Sequence, residues 1–449
     1  MANSLENREY DELMSNPQIT EIQSLVAKNT ALATIIGKQH TTQAFSTAGE
    51  LSTAFQGKLT RAGAIGEHSA ELAKVEHREL IKSAGITDKD LENIFQQVWI
   101  YSRLTNPTNE LLEEAISKIE GAEKTAVFAS GLAAIDAAVR QFVSPGSAKR
   151  GHYQEGGKIL AIGSIYGGTY AQMIDTCRET GRRFDHLSIS EFLEKGLSDD
   201  TAMVFCETSN NPTLRVAPLK RIVAEAKRVK AMTLCDNTFT PLTVRPREIG
   251  IDLTVTSMTK YFNGKSEDLG GCVSGKGDLI GKFLDLHSGR RMLGGAVMAP
   301  RVAKEFLERL STLPHRLLKA TLNASAIKDL ALQAGLPART IENYPEYAEI
   351  RNNSIPQTIS NGMVSLFMED AVQAQSLVDS MISCGVGVGA VSLGAEGTYF
   401  CLPGQTTHSE IPADELAKIG ITPGLIRISC GIEPDLIDRF KEVLNGLSQ

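Results

Sequence analysis

Several residues able to do chemistry stand at the ends of apolar runs. Lys260 follows Ile251-Asp252-Leu253-Thr254-Val255, within Ser257-Met258-Thr259-Lys260-Tyr261 and ahead of the turn-forming Asn263-Gly264. Desolvation at a strand end lowers a lysine's pKa and leaves a nucleophilic amine. Such an amine forms a Schiff base with an aldehyde; a solvated lysine closing a strand is the plainer alternative. Asp236 ends Met232-Thr233-Leu234-Cys235. A partly buried carboxylate there favours a cation such as a protonated ring nitrogen, and an acid in that place also caps turns. Ser130-Gly131-Leu132 leads from a short apolar strand into a helix. The first amides and the dipole of that helix suit a phosphate, Gly131 permits close approach, and the same dipeptide is a common helix cap.

Arg427 lies inside the apolar Leu425-Ile426-Arg427-Ile428-Ser429. A guanidinium in that setting needs an anion, either a ligand carboxylate held bidentately or a buried salt-bridge partner. Tyr166, ahead of Gly167-Gly168, offers a ring for stacking and a hydroxyl for proton transfer, or fills the core. Asn211, ahead of Pro212, offers an amide or marks a turn.

The elements that must position these groups alternate. Apolar runs at Thr125–Phe128, Lys158–Ile162, Ala202–Cys206, Ala231–Cys235 and Leu253–Thr256 read as strands. Helical patterns at Leu111–Ile119, Leu132–Val143 and Ala217–Lys230 lie among them. Short buried strands separated by helices predict an α/β domain with a mostly parallel sheet covered on both faces. Ligands of such sheets collect outside the carboxyl ends of the strands, where these residues fall. Beyond about residue 300, helical patterns at Val302–Leu310, Lys319–Ala334 and Ala371–Ile382, with strands near 362–367 and 425–429, predict a smaller α+β domain. Residues 1–100 are polar and weakly periodic, with several short helical patterns, and read as a segment that wraps around something else.

Composition narrows the function. The 449 residues exceed one small domain, and a net charge of −7 without a basic run argues against nucleic acid or a membrane surface as the partner. The seven scattered cysteines form no CxxC pair and read as buried free thiols in a reducing compartment. The first residues carry no secretory pattern, no apolar run reaches the length of a membrane span, and a cytoplasmic protein is expected. Gly385-Val386-Gly387-Val388-Gly389 does not complete a dinucleotide fingerprint, and Gly277–Lys282 lacks the length and hydroxyl of a P-loop. The eight histidines form no HxxxH pair or Cys/His cluster, so no metal site is expected, and no GxSxG elbow is present.

In order along residues 95–440, Tyr101–Thr108, Ser130–Ile135, Tyr166–Thr169, Asn211-Pro212-Thr213, Cys235–Thr238, Ser257–Tyr261, Ser392-Leu393-Gly394 and Ile426–Gly431 resemble the Cys/Met-metabolism (trans-sulfuration) family of pyridoxal-phosphate enzymes. The resemblance implies a fold type I transferase: an N-terminal arm (1–104) reaching a neighbouring subunit's site, a large domain (105–300) with a seven-stranded, mostly parallel sheet, and a small domain (301–449). It implies pyridoxal 5'-phosphate on Lys260, which then shuttles protons, with Asp236 at the pyridine nitrogen. Tyr166 would stack on the ring and aid proton transfer at the leaving group, and Asn211 would meet the phenolic oxygen. Ser130, Gly131, Leu132, Thr238, Ser257 and Thr259 would complete the cofactor site. Tyr101 and Arg103 would hold the phosphate from a neighbouring copy, which implies an obligate dimer, usually within a tetramer. Arg427 and the backbone around Ser392 would bind the carboxylate of an amino-acid substrate.

The resemblance further implies reaction at Cγ. One form is α,γ-elimination of methionine to 2-oxobutyrate, ammonia and methanethiol; the other is γ-replacement on O-acetyl- or O-succinylhomoserine by a sulfhydrylase or cystathionine γ-synthase. Val391 stands where relatives that handle cystathionine or cysteine often carry glutamate. Gly294–Met298 and Ile421–Arg427 resemble methionine γ-lyases, whereas Thr406-Thr407-His408-Ser409 is similar to O-acetylhomoserine sulfhydrylase. Gly168 replaces the cysteine of bacterial methionine γ-lyases, and Lys265 replaces a usual histidine. A non-catalytic scaffold that kept the fold would have lost Lys260, Asp236 or Arg427, and all three are present. A nicotinamide dehydrogenase is disfavoured by the missing glycine fingerprint.

Overall fold

The computed structural model describes residues 2–36, 75–87, 89–90, 102–104, 106–144, 157–285, 287–409 and 411–447. Two helices, α1 (Ala2–Ser15) and α2 (Pro17–Ile36), open the chain. Helix α3 (Pro107–Glu120) starts with Asn106 capping the Thr108 amide and ends on Gly121, whose φ of 63° is the left-handed conformation that closes helices. There follow β1 (Lys124–Phe128), α4 (Gly131–Val143), β2 (Lys158–Ile162), α5 (Gly167–Thr180), β3 (Arg183–Leu187), β4 (Thr201–Glu207), α6 (Leu219–Val229), β5 (Met232–Asp236), β6 (Leu253–Ser257) and β7 (Gly271–Gly275).

These strands form one seven-stranded sheet in the order β1-β7-β6-β5-β4-β2-β3. Only β7 runs against its neighbours, so the sheet is mostly parallel, as expected. Every residue of β4 is buried, which explains its near-continuous apolar composition. One face packs under α4 through Ala134, Ala138 and Phe142, the other under α6 through Leu219, Ile222 and Ala226. Two strands were not expected. β3 is an edge strand whose residues are only partly buried, so its sequence, Arg-Phe-Asp-His-Leu, lacks an apolar run. β7 reads Gly-Cys-Val-Ser-Gly and is a strand because β1 and β6 pair with it on both sides.

Helices α7 (Pro300–Leu310) and α8 (Leu313–Gln333) lead into a second, five-stranded sheet, β10-β11-β12-β9-β8. Its members are β8 (Ala338–Arg339), β9 (Met363–Phe367), β10 (Val388–Gly389), β11 (Tyr399–Cys401) and β12 (Leu425–Ser429). Helices α9 (Ala371–Ser383) and α10 (Leu436–Leu447) cover it with Leu377, Met381, Phe440 and Val443. Helix α8 begins at Leu313 rather than near Lys319, with Pro314 in its first turn, where the missing N–H costs nothing.

Residues 2–36 wrap this chain's own body. Leu13, Ile19, Ile22 and Val26 join Leu112, Ile116, Phe306 and Leu310 in one apolar core. Asn29 Nδ2 donates to the Leu111 carbonyl at 2.9 Å, and Lys319 pairs with Glu6. Among the described residues no helix is long and apolar enough to cross a membrane.

Candidate functional site

The carboxyl ends of β4, β5 and β6 and the start of α4 enclose a cavity of about 410 Å³. Ser130, Gly131, Leu132, Tyr166, Asn211, Asp236, Thr238, Ser257, Thr259, Lys260 and Arg427, all expected site residues, line it. Ser392 reaches it through Lys260, whose Nζ donates to Ser392 Oγ at 3.1 Å. Arg103 lies apart, with Nη1 donating to the Met292 carbonyl at 3.1 Å. Tyr101 is outside the described residues.

Burial and then the nearby Arg427 guanidinium lower the Lys260 pKa to about 8. The amine is therefore a stronger nucleophile at neutral pH than a surface lysine. Its turn is clamped from behind. The buried Arg316 of α8 donates from Nη1 to the Tyr261 carbonyl at 2.7 Å, and a Cβ on Gly264, whose φ is +74°, would meet that guanidinium. Lys265 leaves this turn intact: its backbone amide donates to Asn263 Oδ1 at 2.9 Å and its side chain is exposed.

Asp236 ends β5 with its carboxyl held out of bulk water. Burial raises its pKa, against the pull of Thr238, whose amide donates to Oδ1 at 2.8 Å. At the anion end, Ser130 caps α4 by accepting from the Ala133 amide. A Cβ on Gly131 would lie 2.8 Å from Ser257 Cβ, so only glycine brings the helix start this close to β6. Ser257 is tied in turn to Thr238, whose Oγ1 accepts from the Ser257 amide at 2.8 Å.

Arg427 is fully buried. Its Nη1 donates to Asn211 Oδ1 at 3.1 Å and its Nη2 to the Ser392 carbonyl at 2.9 Å. No carboxylate is among its partners in the described residues, and its Nε has none. Of the two alternatives read from the sequence, a structural salt bridge is thus not found. A buried guanidinium with an unpartnered donor has the chemistry to accept a carboxylate.

Three buried polar groups in or around the cavity were not singled out as site residues from the sequence. Glu207 ends β4, beside Asp236 in the β4/β5 register, and lines the cavity. His408 is fully buried; Thr407 Oγ1 lies 2.8 Å from its Nδ1, and burial and Arg427 lower its pKa to about 4, so it stays neutral. Arg316, described above, is the third. An acid at the last position of a second strand of the same parallel sheet was the signal available for Glu207. Neither His408 nor Arg316 has a comparable one.

The residues present fit the cofactor implied by the motifs: a desolvated amine for an aldehyde, a glycine-walled helix start for a phosphate, and a carboxyl for a ring nitrogen. Among the described residues no group of three or more His, Cys, Asp or Glu could hold a metal ion.

Residues 80–445 match the model of the Cys/Met metabolism PLP-dependent enzyme family. The chain is 30% identical over 356 residues to cystathionine β-lyase of Bacillus subtilis, covering 78% of this chain and 86% of that protein. It is 29% identical over 345 residues to methionine γ-lyase of Arabidopsis thaliana, covering 74% and 75%. Among solved structures it resembles an O-acetylhomoserine (thiol)-lyase assignment from Campylobacter jejuni that carries a pyridoxyl-lysine phosphate. That match has a TM-score of 0.65 and 26% identity, and covers 79% of this chain and 90% of that one.

Proposed function

We propose, from the premise that this chain belongs to the Cys/Met metabolism family of PLP-dependent enzymes, that it carries out methionine γ-lyase-type α,γ-elimination, releasing methanethiol, ammonia and 2-oxobutyrate. The chain is a PLP-dependent lyase or synthase of trans-sulfuration chemistry. The observation that carries the finer reading is the apolar character of the cavity near Lys260. Val391, Leu269 and Leu132 are exposed there, and the acidic residues lining the cavity, Glu207 and Asp236, stand at the strand ends. A γ-substituent ending in a methyl group suits such a wall, whereas the distal ammonium and carboxylate of cystathionine would lack counter-charges.

When bound, pyridoxal phosphate supplies the electron sink. In our reading Lys260 anchors it and then removes protons from substrate Cα and Cβ in turn, its lowered pKa favouring the base form. Asp236 would keep a proton on the ring nitrogen by charge pairing. Ser130, Gly131 and Leu132 amides, with Ser257 and Thr259, would hold the phosphate, and Thr238 steadies Asp236. Tyr166 would stack on the ring and protonate the departing sulfur. Arg427, through its vacant Nε, receives the substrate α-carboxylate beside Ser392.

Tyr101 and Arg103 complete the phosphate site of a second copy, which makes the working unit a dimer, paired into a tetramer. We take the large domain as 105–300 and the small domain as 301–449. The free cysteines fit a cytoplasmic setting.

Incubation of the pure holoenzyme with L-methionine tests this reading, with 2-oxobutyrate as the expected product. Homocysteine from O-acetylhomoserine plus sulfide, with no 2-oxobutyrate from methionine, would replace elimination by γ-replacement.

A further inference from the structure

Two loops that face the cavity come from different strands: the one after β2 carries Tyr166, and the one after β4 carries Asn211. One carboxylate joins them. Glu207 Oε1 accepts the Tyr166 amide at 2.7 Å, and Glu207 Oε2 accepts the Asn211 amide at 3.1 Å. A carboxyl group presents one oxygen to each of the two donors, which a glutamine amide, with a single oxygen, cannot do.

The location is a poor one for a residue with only a packing role. Glu207 is 5% exposed and lies beside Asp236, so burial first and that neighbouring carboxyl second raise its pKa well above the ordinary range. The ring it governs needs such control. Tyr166 is 43% exposed, so core packing does little to aim it, and no side-chain bond caps the helix it starts. On the other side, Asn211 Oδ1 accepts from Arg427 Nη1 at 3.1 Å. Glu207 therefore stands between the aromatic platform and the guanidinium.

We propose that Glu207 is a positioning residue: the two oxygens of its carboxyl group aim the Tyr166 ring and the Asn211 amide at the cofactor through their backbone amides. It acts through these residues and not by contact with substrate. The inference rests on the reading of the cavity as the pyridoxal-phosphate site. Other bonds keep the two loops folded without it. Ser164 Oγ donates to the Asn211 carbonyl at 2.7 Å, and Asn210 Nδ2 donates to the Ser164 carbonyl at 2.8 Å.

The test uses full-length apoenzyme titrated with pyridoxal phosphate and followed by visible absorbance. It adds the visible circular dichroism per bound cofactor at saturation, which reports how the ring is held. For Glu207→Ala the expected result is a Kd raised about tenfold or more, from the loss of two hydrogen bonds to one buried carboxyl group, together with a weakened dichroic band. Glu207→Gln keeps the volume and one acceptor oxygen, so it falls between Glu207→Ala and the parent and carries the test where the alanine variant does not fold. A folded Glu207→Gln with parental Kd and dichroism overturns the proposal. If the parent apoenzyme takes up no cofactor at Lys260, the reading of the cavity falls, and the role of Glu207 falls with it.

Discussion

Lys260, after β6, and Ser392, after β10, meet with Nζ donating to Oγ at 3.1 Å. The serine belongs to the loop whose carbonyls also receive Arg427, so the amine and the guanidinium are steadied by one short stretch of chain. Ser392→Ala removes one hydrogen bond of about 1 kcal/mol. A fall in kcat of roughly fivefold is expected, with the cofactor still attached, in steady-state kinetics beside an absorbance spectrum.

The Lys260 amine, with its pKa lowered to about 8 by burial, titrates within an accessible range. Below that pH it is protonated and unreactive; above it, it is free. The rate at which apoenzyme captures pyridoxal phosphate should rise with pH and reach half its plateau near pH 8. Borohydride should then fix the cofactor's mass on the Lys260 peptide. Lys260→Ala should show neither the capture nor the adduct.

Arg427 offers a planar fork with a vacant Nε. Lysine keeps the charge but not the geometry. For Arg427→Lys the KM for the amino acid should rise about ten- to a hundredfold, the loss expected for charge-assisted hydrogen bonds. The affinity for pyridoxal phosphate should stay near the parent's. An unchanged KM would remove the guanidinium from substrate binding.

Glu120 lies beneath the site, fully buried, accepting from Asn237 Nδ2 at 3.0 Å and Thr256 Oγ1 at 3.2 Å. Burial, against the pull of those two donors, raises its carboxyl pKa from 4.5 to about 7. Between those values the folded chain holds a proton that the unfolded chain has released. Stability should therefore fall as pH climbs through this window, by up to roughly 3 kcal/mol. Urea unfolding at pH 5 and pH 7.5 should show that fall in the parent and a smaller one in Glu120→Gln.

Legibility followed position in the sheet. Lys260, Asp236 and Gly131 stood out because β5 and β6 are buried apolar runs and because β1 leads directly into α4, so each chemical group sits where a pattern breaks. β3 escaped notice as a half-solvated edge, and β7 because its residues gain strand character only from the neighbours that pair with it. Glu207 was hidden for another reason. Its meaning lies in two backbone amides, those of Tyr166 and Asn211, and loop amides leave no mark in an amino-acid sequence. Arg316 and His408 were hidden because their burial comes only from the packing of elements distant in sequence. The first 36 residues read as weak helices because their apolar faces are narrow and are completed by α3 and α7.

The contact between Gly131 and Ser257 has a consequence for how this enzyme can evolve. A single methyl at 131 would press on the β6 serine, and a Cβ on Gly271 of β7 would press on the Ser130 carbonyl. The start of α4 and the strand that leads to Lys260 therefore share one fixed spacing, like marks on a ruler. New specificities can arise at Val391 or Leu269, on the open side of the cavity. A change in the distance from the start of α4 to Lys260 would have to rebuild the helix start and both strands together.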